Sequence, residues 1–446
     1  MAELHETAAE TSPAAVPSRL AAASRSLLAW AIPGLALFAF AVVAARSISG
    51  VRRVMIVLVH PDTTKQFGPV DFTVFYTAAT YVRTQSGDRL FNLGAFSGPE
   101  HGHNVFGLAH YTLPYLNPPF VALLLAPLSM LSFAAAFRVW SAANLLALII
   151  TCVFIWRAAR HERWPMAAAL VAVMIATPQV GFSLRLGQFS LILAGLWTST
   201  FVALHAGRPR LAGLLLACCL IKPEVVIAAL IWLAWTKQTA VLRPFLATAV
   251  VLAGLCFMAA GAAAVHYPAY VLGGVATHAD PMSPNIFMGW DGLIASALRI
   301  TSPSVATALA VPASLITLSA IPWATRRSNP QARLPAIWLL ITIVTLLIDP
   351  HLYQQDLVML TAPACMYLLA TSGARRRLAW YALAVTLLIL SLGIVPNAQW
   401  HLPLLPVWLV FCGAALAISL RRERQEAQVL PIAPPGTTAR DASIAA

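Results

Sequence analysis

The feature that most constrains this chain is how little charge it carries between its loops. Only 10% of its 446 residues are charged and 59% are hydrophobic, whereas an ordinary soluble domain is about a quarter charged. Apolar stretches approaching the roughly 20 residues needed to cross a bilayer recur from 27–46 to 402–420. That pattern excludes a soluble globular enzyme, a disordered chain and a disulfide scaffold. It predicts an all-α integral membrane protein of about 12 transmembrane helices. The expected organisation is a cytoplasmic tail over 1–26, one polytopic domain over 27–424, and a disordered cytoplasmic tail over 425–446.

Arginine placement sets the orientation. Arg157, Arg160 and Arg163, then Arg208 and Arg210, then Lys237 and Arg243, then Arg326, Arg327 and Arg333, then Arg375 to Arg377, and finally Arg421, Arg422 and Arg424 fall in alternate loops. The intervening short loops hold only Arg185, Lys222 and Arg299. Cytoplasmic loops carry the excess of Lys and Arg, so both termini are expected inside. The net charge of +13 then belongs to membrane lipids rather than to nucleic acid. Two places are delicate. Residues 118–131 are apolar but too short to span comfortably, and are expected as a re-entrant or interfacial helix. The stretch 211–236 is expected as two short arms meeting at Lys222-Pro223-Glu224 on the outer side.

The polar chemistry gathers on that outer side, with nine of sixteen acidic residues and eight of eleven histidines. Two outer segments, about 47–117 and 266–302, carry most of it. After Gly68-Pro69, Asp71 stands where a helix can begin, with Tyr76 following. It is either an N-terminal cap or a general base at the membrane surface. Tyr115-Leu116-Asn117-Pro118-Pro119 is either a rigid turn or, through Tyr115 and Asn117, part of a substrate groove. Arg185 and Gln188 sit at a helix break, where they pair together or serve a ligand. Lys222 either pairs with Glu224 or contacts a lipid phosphate. Asp349-Pro350-His351-Leu352-Tyr353-Gln354-Gln355-Asp356 is a loop with two acids, a His, a Tyr and two amides but no Lys or Arg, and a solvated loop could look the same. Asn285 and Asp291, with Trp290, give a weak carbohydrate-like combination. The six cysteines lie in apolar segments and make no CxxC. No metal motif, P-loop, GxGxxG or Asp-x-Asp pair is present, so neither a metal nor another cofactor is expected, and a soluble nucleotide donor is disfavoured.

The strings DFTVFYTAATYVRTQSGDRLF, YLNPPFVALLLAPLSML, LRLGQFSLILAGL, AGLLLACCLIKPE and DPHLYQQD, in this order, resemble glycosyltransferase family 87. The resemblance spans about 70–370. It implies a C-type glycosyltransferase fold and a polyprenyl-phosphate-linked sugar donor, mannose above others. It further implies a glycolipid or glycan acceptor and an extracytoplasmic site in a bacterial plasma membrane. Residue by residue it assigns Asp71 as catalytic base and places Gly187-Gln188, Lys222-Pro223 and His351 in the family's motifs. The late loop departs from the family pattern, which has more histidine where Tyr353-Gln354-Gln355 stand here. The phosphate site expected is then Lys222, Arg185, His351 and Gln188, and the acceptor or sugar groove Tyr76, Tyr115, Asn117, Asn285 and Asp291. A lipid or sugar transporter, or a non-catalytic scaffold, is the competing expectation. A transporter would favour two related halves, and no internal repeat is visible.

Overall fold

A computed structural model describes residues 70–92, 114–160, 164–271, 289–326, 333–350, 352–392 and 404–429, with isolated positions between 41 and 59. Most of the expected first span, the N-terminal tail, residues 430–446, His351 and Asn285 lie outside the described residues, while 425–429, expected in the disordered tail, continue a helix. Among those described, every regular element is helical.

Helix α1 (Val70–Arg83) has Asp71 in its first turn and Arg83 in its last, so both charges complement the helix dipole. It lies on a short unit made of α2 (Pro119–Leu125) and a 3-10 turn, Ala126–Met130. Tyr76 donates to the Leu131 carbonyl at 2.8 Å, and Arg83 Nε donates to Ser129 at 2.9 Å. This is the segment expected as a re-entrant or interfacial helix. It is as short as expected, and Phe120, Val121 and Ala122 are buried.

Helix α3 (Phe133–Ala159) begins at Ser132, whose hydroxyl accepts the Ala135 N–H. Helices α4 (Trp164–Ala176) and α5 (Pro178–Leu186) meet at a 41° bend. Pro178 causes it, because a proline removes a donor and crowds the preceding turn. Helix α6 (Ser190–His205) packs on α3 and on α7 (Pro209–Cys218). The arm that α7 starts ends in a 3-10 turn, Cys219–Ile221. A second 3-10 turn, Pro223–Val226, leads into α8 (Ile227–Trp235). The break between the arms therefore falls at Lys222, as Lys-Pro predicts. Helices α9 (Thr239–Ala260), α10 (Trp290–Leu298), α11 (Pro303–Thr325), α12 (Leu334–Ile348), α13 (Val358–Ala370), α14 (Gly373–Leu392) and α15 (Leu404–Val429) complete the bundle.

The bundle core is centred on Trp197 and Trp338, whose rings lie 4.5 Å apart. Trp197 Nε1 donates to Thr342 at 2.9 Å. Close helix contact depends on small residues, as expected where lipid tails remove the hydrophobic drive between helices. A Cβ on Gly213 of α7 would overlap the Val241 carbonyl of α9.

The outer surface is apolar. Leu146, Ile149, Ile150 and Val153 project from α3, and Leu246, Val250, Val251 and Met258 from α9. In water so continuous a patch would be an aggregation site; in a bilayer it is the lipid-facing side. Among the described residues, three helices are long and apolar enough to cross a membrane, Phe133–Ala159, Thr239–Val271 and Ser304–Thr325, and the bent pair α4–α5, taken as one span, makes a fourth. Others that the sequence offers as spans are shorter, among them Ser190–His205, Pro209–Ile221 and Leu334–Ile348. At 1.5 Å rise per residue, a 15-residue helix such as α12 covers about 22 Å of a roughly 30 Å core. The chain is a helical membrane protein, and the twelve expected crossings do not appear as twelve membrane-length helices among the described residues.

Candidate active site

The densest charged cluster among the described residues forms where the α7–α8 connection breaks. Proline at 223 interrupts the helical ladder at Lys222, whose side chain is thereby turned across the bundle. Its ammonium lies 2.6 Å from Asp349 Oδ2 and 2.7 Å from Asp356 Oδ2. Glu224 Oε1 stands farther off, at 3.9 Å. Asp349 caps the C-terminal end of α12, and Asp356 lies in a 3-10 turn, Gln354–Leu357, that leads into α13. Ser190, the first residue of α6, donates to the other Asp356 oxygen at 2.7 Å. One ion-pair network therefore joins the starts or ends of α6, α8, α12 and α13.

Backbone seats hold this cluster in place. Asn117 Nδ2 donates to the Ile221 carbonyl at 2.9 Å, and Thr345 donates to the Val225 carbonyl at 3.3 Å. Tyr267 donates to the Leu116 carbonyl at 3.1 Å. The chain at Gly289 passes so close that a Cβ there would stand 2.7 Å from the Asp349 carbonyl oxygen. Two residues on, Asp291 is buried and accepts from Thr307 at 2.6 Å.

Electrostatics follow from burial. Burial alone would drive the Lys222 ammonium toward neutrality, but Asp349 and Asp356 outweigh it and hold the charge well above the ordinary range. Glu224 lies in the turn between the two arms. Its burial, reinforced by the Asp349 charge, raises its carboxyl to about 7 against the attraction of Lys222. Burial, with a smaller contribution from Asp349, raises Asp291 to about 6.

Asp71 approaches this region through its neighbours. Gly187 caps α5 with φ of +75°, a conformation glycine adopts without penalty. A Cβ there would lie 2.6 Å from Phe72 Cβ. Trp140 Nε1 donates to the Gly187 carbonyl at 2.7 Å, and Phe75 packs on Phe189 at 4.6 Å between ring centres. The start of α1 is thus pressed against residues 187–189. The next residue is Ser190, the partner of Asp356. Asp71 itself is half-buried, in the first turn of α1.

The structure gathers some of the expected site residues and not others. Lys222, Asn117, Gln188 and Asp291 lie in or beside the arrangement just described. The alternative that Lys222 simply pairs with Glu224 gives way to a tighter pairing with Asp349 and Asp356. Arg185 is exposed, with its guanidinium 5.3 Å over the Phe182 ring of its own helix, and forms no ion pair with the cluster. Tyr115 is fully buried and its hydroxyl donates to the Pro118 carbonyl at 3.1 Å. Tyr76 spends its hydroxyl on Leu131. These two tyrosines serve the packing of their own turns. Sequence reasoning passed over Ser190 and did not pair Lys222 with the acidic loop. The signal was present: a loop with two acids and no Lys or Arg complements a lone lysine in an apolar arm. Among the described residues, no group of three His, Cys, Asp or Glu side chains is arranged to hold a metal ion.

Fold and site together define a helical membrane protein with a buried ionic cluster at a broken helix. Comparison with known proteins makes this specific. A family model described as glycosyltransferase family 87 matches residues 115–350. That is more than half of the chain, which belongs to glycosyltransferase family 87 and is a glycosyltransferase. The matched region includes Asn117, Gln188, Lys222, Glu224, Asp291 and Asp349, and leaves Asp71 and Asp356 outside it. No curated protein matches the chain, and no solved structure does.

Proposed function

We propose that this family 87 enzyme moves a hexose, mannose first among candidates, from a polyprenyl-phosphate donor to an extracytoplasmic glycan or glycolipid acceptor. The reaction takes place at the outer face of a bacterial plasma membrane, with both termini cytoplasmic. The observation that carries this reading is the placement of Lys222. It is a charged ammonium at a helix break in a membrane protein, with two of its three donors engaged. An intramembrane ionisable residue of this kind marks a ligand site by default, and an ammonium suits a phosphate.

Asp71 is the general base. The acceptor hydroxyl oxygen attacks the anomeric carbon while the bond to the phosphate oxygen breaks. The hydroxyl proton passes to Asp71, and polyprenyl phosphate departs with the bonding pair. One displacement turns a β-linked donor into an α-linked product. Lys222, with Gln188 and His351, receives the phosphate charge that develops. Asn117, Asp291 and Asn285 offer hydrogen bonds to sugar or acceptor hydroxyls. Support for Asp71 comes from the contact of α1 with Gly187–Phe189, since that segment leads directly to Ser190 and the Lys222 cluster. The phosphate is a competent leaving group once neutralised, so the reading does not call for a metal.

The test is sugar transfer by purified protein in nanodiscs, with polyprenyl-phosphate-[14C]mannose and a crude lipid extract as acceptor. Transfer by wild type is expected to fall at least about 100-fold in Asp71→Ala, the loss typical of a general base, and to persist in EDTA. Equal transfer by both proteins removes Asp71 from the mechanism. Transfer abolished by EDTA and restored by a divalent ion removes the metal-free step.

A further inference from the structure

An ammonium has three N–H donors. On Lys222 two are taken, by Asp349 at 2.6 Å and Asp356 at 2.7 Å, and Glu224 at 3.9 Å is beyond hydrogen-bond reach. The third donor has no partner among the described residues. Glu224 is also the most open of the three acids, with its side chain 23% exposed against 2% for Asp349 and 8% for Asp356. The groups acting on it are Lys222, Asp349 and Asp356, with Tyr267 on the side of the 115–117 turn. Asp291 lies beyond Asp349.

With every acid ionised, one ammonium and three carboxylates sum to −2. An anion approaching Lys222 would then meet net negative charge in a poorly screened site. Asp349 and Asp356 are held by Lys222 at 2.6 and 2.7 Å, whereas Glu224 stands at 3.9 Å. Glu224 can relieve the charge by taking a proton, and a protonated carboxyl becomes a donor. We propose that an anionic phosphodiester binds at Lys222 together with one proton taken up by Glu224, so that the third Lys222 N–H and the Glu224 O–H both donate to phosphate oxygens. The raised Glu224 carboxyl, near 7, agrees with such uptake near neutrality. This inference rests on the reading of Lys222 as the donor-phosphate contact. It makes Glu224 a positioning residue for the donor, coupled to pH.

Linkage gives the sign. A ligand that binds with one extra proton loses affinity as pH rises above the free carboxyl's pKa, by up to tenfold per pH unit. The experiment is equilibrium binding of polyprenyl-phosphate-mannose to the full-length protein in phosphatidylcholine nanodiscs, between about pH 5.5 and 8.5, a window that brackets the carboxyl. The probe is a phosphodiester and keeps a single charge throughout. Wild type should weaken steeply across the upper half of this range. Glu224→Gln, whose amide keeps the donor without titrating, should bind with nearly constant affinity, close to that of wild type at low pH. Glu224→Asp, which restores a titrating carboxyl, should restore the slope. A slope unchanged in Glu224→Gln overturns the inference and leaves the donor reading standing. No binding by wild type at any pH overturns the donor reading itself. Thermal melts of each variant identify any loss that is only unfolding.

Discussion

A carboxylate that folding strips of water is a pH sensor whether or not it takes part in chemistry. Asp291 is buried against Thr307, and its carboxyl rises from 3.8 to about 6. Between those values the folded state holds more protons than the unfolded state, so stability falls as pH rises through the interval and then levels off. Asp291→Asn removes this dependence. Unfolding in detergent should show wild type losing up to about 3 kcal/mol relative to the variant across that interval; parallel curves would place Asp291 in water. The same residue scale shows what was legible beforehand. Lys222, Asp71 and Gly187-Gln188 stand out because charge and glycine are rare in such a chain. Ser190 does not stand out, because a serine inside an apolar run is ordinary, and only the fold brings Asp356 to it. The commitments of Tyr76 and Tyr115 were likewise hidden, since a tyrosine hydroxyl satisfied by a backbone carbonyl looks the same in sequence as one awaiting a substrate.

Elements were readable where a local breaker acts and unreadable where tertiary packing sets length. The Lys-Pro break at 222, the bend at Pro178 and the brevity of 119–130 all follow from proline placement. Hydropathy identified 187–205 and 333–349 as apolar but could not show that α6 and α12 are short core helices enclosed by neighbours. What joins them is the pairing of Trp197 with Thr342 and Trp338. Thr342→Val keeps shape and removes the acceptor, leaving the Trp197 N–H unpaired in a dry core. The expected loss is about 1–3 kcal/mol, measured by unfolding in mixed micelles. A loss within experimental error would mean that the indole finds another acceptor.

At the scale of the whole molecule, the positive-inside pattern and the apolar outer faces of α3 and α9 agree that the chain resides in a membrane. They differ in how many helices are long enough to cross it. Alternation of sides is testable without counting helices. In a background lacking its native cysteines, single cysteines replacing Gly207, Lys237 and Arg299, all exposed, should react with an impermeant maleimide from opposite faces. Gly207 and Lys237 should react from the cytoplasm and Arg299 from outside. Labelling of all three from one side would overturn the orientation. Family membership was legible because its motifs recur in order along the chain, three of the five strings falling within the region matched. The ion-pair network was not, because its partners are far apart in the chain.

That separation has a consequence for synthesis. Lys222 meets Asp349 and Asp356 across 127 and 134 residues. At about 5–20 residues per second the ribosome delivers the first partner roughly 6–25 s after the lysine. Throughout that delay the nascent chain holds an ammonium whose only acidic neighbour in the finished cluster is Glu224. A message cut short between codons 224 and 349 therefore encodes neither of the two carboxylates that hold Lys222 most closely. The middle third of the chain opens an ionic site that only the last third completes.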